Sequence, residues 1–134
     1  MKIKLLDPAL RPHIGSDGAA AFDLKCDGDY TIKPNEVTKF GTGVKVEVPE
    51  GHVLLIVPRS STKLTLVNTV GVIDPDYRGE IFIKCRAEDN TFRVKKGERL
   101  VQALLVPCVS PDLEYVDKLS ETKRGENGFG STGK

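Results

Sequence analysis

Short runs of apolar residues recur along the chain and are separated by sequences typical of turns. Six such runs occur: Ile3–Leu6, Phe22–Lys25, Val44–Val48, Val53–Val57, Ile81–Ala87 and Leu100–Val106. The breaks between them contain GDY, KPNE, PEG, EDN, KKGE and SPD, and such glycine, proline and Asx clusters favour turns. Runs of this length, partly alternating in polarity, predict strands. We therefore expect an all-β fold, an antiparallel sandwich or barrel.

Helix content is expected to be small, because no stretch carries a convincing helical repeat. Ser60–Val67 is compatible with a short turn at most, since its threonines and valine disfavour a helix. The apolar pattern stops at Ser120–Asn127, where a polar, glycine-rich segment begins. The sequence predicts one domain over residues 1–119 and a flexible C-terminal arm over residues 120–134.

Composition narrows the range of partners. The chain has 134 residues, a common size for a single domain, and its 20 Lys+Arg against 19 Asp+Glu leave a net charge of +1. Nothing in this balance indicates direct nucleic-acid binding or an anionic membrane surface. A small polyanionic ligand remains possible, because it requires only local charge.

The cysteines and histidines give little sign of covalent or metal chemistry. Cys26, Cys85 and Cys108 are odd in number and not closely paired, which argues against a disulfide framework and a zinc site. We expect buried thiols that act as small hydrophobes in a reducing compartment. His13 and His52 stand alone and receive no role. With no apolar stretch long enough for a signal peptide or a membrane span, a soluble, cytoplasmic protein is expected.

One segment, NTVGVIDPDYRGE, opens from an apolar run into a turn crowded with polar residues. Its aspartates, Asp74 and Asp76, are candidate general bases, because an ionised carboxylate can accept a proton from water. The same residues are also ordinary turn chemistry, in which aspartates bond their own backbone. Both interpretations, a catalytic loop and a plain hairpin turn, remain open.

Further polar residues occur at or within predicted strands. Arg59, Ser60 and Ser61 follow a strand and suit a phosphate, although such runs are also common in solvated turns. Asp23 lies within an apolar run and requires either a metal-bound water or a structural ion pair to offset its desolvation. Gln102 faces either solvent or a ligand.

The last eleven residues, RGENGFGSTGK, combine four glycines with an arginine and an aromatic side chain. Glycine backbone can approach anionic oxygens closely, and the guanidinium of Arg124 adds a planar pair of donors. Phe129 could stack on a nucleobase. Disorder is the alternative for a glycine-rich chain end.

Taken in order, GSDGAAAFDL, PRSS, GVIDPDYRGE, GERLVQALLVP and RGENGFGSTG resemble the five motifs of the trimeric dUTPase family. The resemblance covers Gly15 to Gly133. It implies a compact, jelly-roll-like β-barrel assembled as a homotrimer, with three active sites at the subunit interfaces. It further implies Mg²⁺-dependent hydrolysis of dUTP to dUMP and pyrophosphate, which limits uracil in DNA and supplies dUMP for dTMP synthesis.

The resemblance also assigns roles to residues around the reacting phosphate. Asp74 matches the base that activates water for in-line attack on the α-phosphorus, and Tyr77 matches the residue packed under the deoxyribose. Asn68 and Gly71 match the hairpin that reads the uracil edge. Asp23 matches the carboxylate that holds water bound to Mg²⁺.

The remaining matches concern the phosphates and the arm. The residues that match phosphate contacts are Arg59, Ser60, Ser61 and Gln102. The residues that match the arm closing over a neighbouring subunit's site are Arg124, Phe129, Gly130, Ser131 and Thr132. On this basis we expect the arm to be mobile when the site is empty and ordered when dUTP and Mg²⁺ are bound.

Some positions depart from the family's pattern. The interval from Arg59 to Asp74 is short, which predicts loss of a helical turn often found there, and Ala21 and Phe22 replace the more usual glycine and tyrosine. Asn127 stands in place of a glycine, and asparagine tolerates positive φ better than most residues.

Two alternative functions remain open on the same scaffold. One is a dCTP deaminase, or bifunctional deaminase-dUTPase, and the other is a dUTP-sensing regulatory interaction protein.

Overall fold

The computed structural model describes residues 1–130, which form eleven strands and one turn of 3-10 helix, Pro8–Leu10. The strands are β1 Lys2–Leu5, β2 Phe22–Lys25, β3 Tyr30–Ile32, β4 Thr38–Gly41, β5 Val44–Glu47, β6 His52–Pro58, β7 Leu64–Leu66, β8 Gly71–Ile73, β9 Phe82–Ala87, β10 Phe92–Val94 and β11 Arg99–Pro107. The predictions of an all-β fold and little helix are confirmed.

Every strand pairing is antiparallel, and the strands form four small sheets. The largest has the order β2-β11-β6-β8, and a second has the order β4-β9-β7. The other two are the pairs β1-β5 and β3-β10. The long strands β6 and β11 run side by side at the centre of the largest sheet, and they position Gln102 on β11 and the residues Arg59, Ser60 and Ser61 that follow β6.

One continuous core lies between the sheets. In β9 the pattern alternates strictly, with Ile83, Cys85 and Ala87 buried and the residues between them exposed. Leu54 and Ile56 of β6 face the same core. Because side chains of a strand alternate between its two faces, the intervening residues of β6 lie on the outer face of the sheet.

Several strands were missed by the sequence prediction. The apolar runs locate β1, β2, β5, β6, β9 and β11, but five further strands of three or four residues lie between them. The expectation of no more than a turn over Ser60–Val67 is wrong, since Leu64–Leu66 forms β7 and pairs with β9. The expected loss of a helical turn holds, because residues 59–74 contain no helix.

The three cysteines are all free but differ in environment. Burial raises the pKa of the Cys26 thiol, and it raises the pKa of Cys85 to about 11. Cys108 is exposed just beyond β11, so the expectation that all three thiols are buried is wrong at this position. β11 ends at Pro107, so Cys108, which follows it, lies outside the sheet.

The part of the chain beyond β11 is different in character. Residues 108–130 form no helix or strand and are almost entirely exposed. Several large apolar side chains in this segment are well exposed: Val109, Leu113, Tyr115, Val116 and Leu119. Within residues 1–130 no helix has the length and apolar character that a membrane crossing requires.

Candidate active site

Asp23 and Gln102 lie side by side on the outer face of the largest sheet. They are directly paired in the register of β2 and β11, and Gln102 is in turn paired with Val57 of β6. The backbone of Asp23 is also fixed from the other side, because its N–H donates to the carbonyl of His13 at 2.7 Å and its carbonyl accepts from the His13 N–H at 3.0 Å. The carboxylate therefore projects from a well-anchored position.

Two arginines converge on the Asp23 carboxylate. Its Oδ2 lies 3.3 Å from Nε of Arg59 and 3.3 Å from Nη1 of Arg99, and the Asp23 side chain is only 16% exposed. Nη1 of Arg59 also donates to the carbonyl of Arg99 at 3.0 Å. The ion-pair interpretation of Asp23 is thus realised, since two cations offset the desolvation of the carboxylate.

Arg99 was not singled out from the sequence. It stands three residues before Gln102 at the start of β11, within the quoted segment GERLVQALLVP. A register shift between Arg99 and Val101 marks an irregularity in the pairing of β11 with β2. No spacing rule reveals that Arg99 meets Asp23, because the contact depends on the strand register. We call Asp23, Arg59, Arg99 and Gln102 the Asp23 cluster.

The hydroxyls predicted to contact phosphate adjoin this cluster. Ser60 and Ser61 form the turn after β6, which is closed by a bond from the Thr62 N–H to the Arg59 carbonyl at 3.1 Å. Gln102 donates from Nε2 to the carbonyl of Pro58 at 3.3 Å, so its amide is directed along the sheet toward the same turn. The structure therefore brings together all four residues predicted as phosphate contacts.

A second group of predicted residues lies on the tight connection between β7 and β8. The N–H of Val70 donates to the carbonyl of Asn68 at 2.7 Å, and Thr69 has φ of 66°, an unusual value for a β-branched residue. At Gly71 a Cβ would lie 3.0 Å from Cβ of Ile56, so a side chain there would crowd β6. Asn68 and Gly71 line a cavity of about 390 Å³.

Asp74 follows β8 directly and is exposed. Its carbonyl accepts from the Tyr77 N–H at 3.2 Å, which closes a turn, and the Tyr77 hydroxyl donates to the Glu80 carbonyl at 2.8 Å. Within residues 1–130 the carboxylates of Asp74 and Asp76 make no hydrogen bond or ion pair. The segment is a turn, but within residues 1–130 the carboxylate oxygens of its two aspartates accept no hydrogen bond from the backbone.

Tyr77 is held with its ring folded back over the turn. A side chain at Gly79 would collide with the tyrosine ring and hydroxyl, so glycine is required for this close approach. Asp74 and Tyr77 line a cavity of about 240 Å³. We call Asp74, Tyr77 and the hairpin residues Asn68 and Gly71 the Asp74 group.

The Asp23 cluster and the Asp74 group are far apart in the chain described. Asp23 on β2 is separated from β8 by three inter-strand spacings, about 14 Å along the sheet. Asp74 extends β8 to the level of Val53, four residues along β6 from the level of Asp23, which adds about 13 Å in the perpendicular direction. Neither cavity beside the Asp74 group includes a residue of the Asp23 cluster.

Within residues 1–130, no hydrogen bond or ion pair joins Arg124, Phe129 or Gly130 to either group. Arg124 donates from Nε to the carbonyl of Asn127 at 2.7 Å, and Phe129 is fully exposed. Positive φ occurs at Phe129, with 51°, and at Gly130, with 88°, whereas Asn127 is not among the residues with positive φ. The predicted contacts at Ser131 and Thr132 lie outside the described residues.

A magnesium ion at this site would be coordinated largely by phosphates of a bound ligand and by water, with few protein side chains. Residues 1–130 contain no group of three or more His, Cys, Asp or Glu side chains arranged to hold a metal. Mg²⁺ commonly binds through one or two carboxylates together with substrate phosphates and water. A single carboxylate, Asp23, beside two arginines fits this mode and does not fit an all-protein metal cage.

Comparisons with known proteins agree with the motif assignment. The family model described as dUTPase matches residues 7–133. The deoxyuridine 5'-triphosphate nucleotidohydrolase of Nautilia profundicola is 44% identical, over 100% of this chain and 99% of its own. The protein of the same name from Clostridium tetani is 41% identical, over 100% of this chain and 97% of its own.

Solved structures show the same relationship. A dUTPase of Staphylococcus bacteriophage 80alpha, in a structure with dUPNHPP, superposes with a TM-score of 0.88 at 28% identity, covering 98% of this chain and 97% of its own. The dUTPase of Streptococcus mutans has a TM-score of 0.76 at 33% identity, covering 84% of this chain and 99% of its own. Motifs, fold and full-length similarity coincide, and the chain belongs to the dUTPase family.

Proposed function

We propose that this protein hydrolyses dUTP to dUMP and pyrophosphate with Asp74 as the general base. The observation that carries the proposal is the position of Asp74, whose carboxylate is exposed and, within residues 1–130, unpaired. It lies beside Tyr77 in a cavity that adjoins the one lined by Asn68. A general base needs a free carboxylate oxygen within reach of water, and both carboxylate oxygens of Asp74 are unpaired within residues 1–130.

The reaction follows from that placement. Asp74 accepts a proton from a water molecule as the water oxygen forms a bond to the α-phosphorus. The bond from the α-phosphorus to the oxygen bridging it to the β-phosphorus breaks, and the electron pair leaves with pyrophosphate. Such an in-line displacement depends mainly on positioning and on neutralising charge at the phosphate oxygens.

The Asp74 group would select the nucleoside. Tyr77, fixed by its bond to the Glu80 carbonyl, would provide a flat apolar surface for deoxyribose and would exclude a 2′-hydroxyl. Asn68 and the backbone around Gly71 would read the uracil edge, and the narrow hairpin would exclude a thymine methyl. Because donors and acceptors of the backbone cannot be re-aimed, a base with a mismatched pattern leaves groups unpaired.

The Asp23 cluster would bind the phosphates. Arg59, Ser60, Ser61 and Gln102 supply donors, and Asp23 would hold water bound to the Mg²⁺ that the nucleotide carries. When bound, Mg²⁺ supplies neutralisation of the triphosphate charge. The Arg59–Asp23 ion pair keeps the guanidinium near the sheet surface, so the arginine is already in place before the ligand arrives.

We further propose a homotrimer in which one active site uses residues of more than one subunit. One triphosphate cannot span the separation between the Asp74 group and the Asp23 cluster of a single chain, so the two groups would meet across an interface. The outer face of the largest sheet supports association, because it carries half-buried apolar side chains beside Gln102. These are Val53, Leu55, Val57, Leu104 and Val106.

The arm would complete the site from a neighbouring subunit. Arg124, Phe129, Gly130, Ser131 and Thr132 would then close over dUTP, with Phe129 stacked on uracil and Arg124 on the phosphates. An exposed aromatic ring on a glycine-rich segment gains a partner only in that closed state.

In the cell the reaction would limit uracil in DNA and supply dUMP for dTMP synthesis. Free cysteines fit a cytoplasmic location.

The direct test is a hydrolysis panel of dUTP, dTTP, dCTP and UTP with wild-type protein and Asp74→Asn. We expect activity on dUTP alone and a fall in kcat of about a thousandfold or more in the variant, since the amide cannot accept the proton. Asp76→Asn is the matched control, because it removes the other carboxylate of the same turn and should cost far less.

Two outcomes would contradict the proposal. Wild-type protein that leaves dUTP intact would exclude the activity, and deamination of dCTP would support the deaminase alternative. Full activity of Asp74→Asn would exclude Asp74 as the base. Reaction in heavy-oxygen water locates the attack: the label should appear in dUMP, whereas label in pyrophosphate would mean attack at the β-phosphorus.

A further inference from the structure

The outer face of the β1–β5 pair is rich in positive charge. In β5 the two valines are buried, so Lys45 and Glu47 lie on the face that points away from the core. The register places Lys4 directly opposite Lys45 and Lys2 directly opposite Glu47. Arg78 approaches Glu47, with its Nε 4.0 Å from Oε1. We call these five residues the Lys4 face, and together with two apolar neighbours they line a cavity of about 320 Å³.

The charge of the Lys4 face is not balanced within the part of the chain that the structure describes. Glu47 is its single carboxylate, and this carboxylate is shared by Lys2 at 3.9 Å and Arg78 at 4.0 Å. Within residues 1–130, Lys4 and Lys45 form no ion pair. Four cations and one carboxylate give the face a net charge of +3, whereas the whole chain carries +1. The face is therefore strongly cationic on a nearly neutral protein.

The pairing of Lys4 with Lys45 is unfavourable for the fold itself. Directly opposite residues of an antiparallel pair have Cβ atoms about 4.5–5.5 Å apart, and like charges at this separation destabilise the pairing. An anionic group between the two ammonium groups would replace their repulsion by attraction. The two lysines therefore contribute no mutual stabilisation to the sheet, but they are well placed to hold an anionic ligand.

The spacing and sign of the charges favour an extended peptide as that ligand. Lys2 and Lys4 are two residues apart on one strand, about 7 Å, and alternate side chains of an extended partner segment have the same spacing. Glu47 interrupts the cations, so a uniformly anionic surface, such as a phosphate backbone or an anionic membrane, would meet repulsion there. Among the described residues that line the cavity none is aromatic, so the face offers no platform for stacking a base.

We propose that the Lys4 face binds an extended acidic segment of a partner protein, with Asp or Glu at alternate positions. One carboxylate of the segment lies between Lys4 and Lys45. The next reaches Lys2, whose side chain is 86% exposed and can turn from Glu47 toward it. The Lys4 face shares no residue with the Asp23 cluster or the Asp74 group, so this interaction goes beyond the proposed hydrolysis and does not depend on it.

Fluorescence anisotropy with a labelled octapeptide of alternating Glu and Thr tests the proposal on the full chain. The peptide should bind wild-type protein at low ionic strength, and its affinity should fall as salt is added. The same peptide with Gln in place of Glu should not bind. The double variant Lys4→Gln, Lys45→Gln should lower the affinity about fivefold, the size expected for the loss of two exposed ion pairs. Glutamine removes each charge and keeps much of the side-chain stem.

The matched control is the double variant Lys33→Gln, Lys95→Gln. It removes the same charge from exposed positions outside the Lys4 face, so the affinity should change by less than about twofold. Urea denaturation checks that both double variants fold. Because a repulsive pair is removed, the unfolding midpoint of Lys4→Gln, Lys45→Gln should be no lower than that of wild type. If this variant fails to fold, the single substitution Lys4→Gln at a fully strand-exposed position carries the binding test.

Three results would overturn the proposal. The first is the absence of peptide binding to wild-type protein at low ionic strength. The second is an equal loss of affinity in the two double variants, which would mean that the peptide responds only to net charge. The third is tighter binding of a thymidine octanucleotide or of phosphatidylserine vesicles that depends on Lys4 and Lys45, which would assign the face to nucleic acid or to a membrane. None of these measurements requires dUTP hydrolysis, so failure of the proposed function would leave the test intact.

Discussion

The Asp23 cluster and the Asp74 group are built by different interactions. The Asp23 cluster is held by side chains: one carboxylate receives two arginines, and a third contact joins Arg59 to the backbone of β11. The Asp74 group is held mainly by backbone, through the tight hairpin and the turn in which the Tyr77 N–H donates to the Asp74 carbonyl, with one added bond from the Tyr77 hydroxyl to the Glu80 carbonyl.

Because of this difference, substitutions in the two groups should have different effects on folding stability and on activity. Residues of the Asp23 cluster stabilise one another, so their substitution should affect folding as well as activity. The carboxylate of Asp74, the proposed base, makes no hydrogen bond or ion pair within residues 1–130, so it should be dispensable for stability. In the proposed mechanism, the fixed charges of the Asp23 cluster would neutralise phosphates, and the free oxygens of Asp74 would accept the proton.

Asp23→Ala and Asp74→Asn should show the greatest difference between the two groups. Both should lose most activity, but Asp23→Ala should also lower the free energy of unfolding by about 2 kcal/mol, because Arg59 and Arg99 lose a shared charged partner. Asp74→Asn should unfold like wild type. Urea denaturation measures the free energy of unfolding of both variants. Equal stabilities of the two variants would show that the ion pairs are not structural.

A smaller effect is expected from the arm, which belongs to neither group. Phe129→Ala should lower kcat/KM for dUTP about tenfold, because the stacking contact with the base is lost. The assembly should be unchanged by light scattering, since the ring is fully exposed among residues 1–130. A variant with the wild-type rate would refute the stacking role.

The smallest effect concerns the hairpin backbone of the Asp74 group. Thr69 adopts φ of 66°, which a β-branched residue rarely takes. Thr69→Asn should raise the free energy of unfolding by about 0.5–1 kcal/mol, because asparagine accepts this conformation more readily. Urea denaturation again provides the measurement. A destabilised variant would mean that the threonine side chain makes a favourable contact that outweighs the backbone strain.

The sequence was most informative where the apolar runs were long. β6 and β11 could be located because their residues alternate or remain apolar over many positions, and the motif residues on them could be named. Strands of three residues such as β7, β8 and β10 could not, because their pairing partners, and not their composition, decide their conformation.

Contacts that depend on register were also beyond the sequence. Asp23 could be recognised as a carboxylate in need of a partner, but Arg99 became that partner only through the alignment of β2 with β11. The separation of Asp23 from Asp74 likewise follows from the strand order of the largest sheet. The family resemblance supplied the roles of these residues without their arrangement in a single chain.

In the proposed homotrimer, one active site combines the Asp74 group of one subunit with the Asp23 cluster of another. Asp74→Asn and Arg59→Ala homotrimers should each be inactive, because every site carries a defect. Unfolding and refolding an equal mixture should restore about one quarter of wild-type activity, since random assembly pairs two intact groups in that share of sites. No recovery, with mixed trimers verified by differently tagged chains, would contradict the claim and place both groups in the same chain's site.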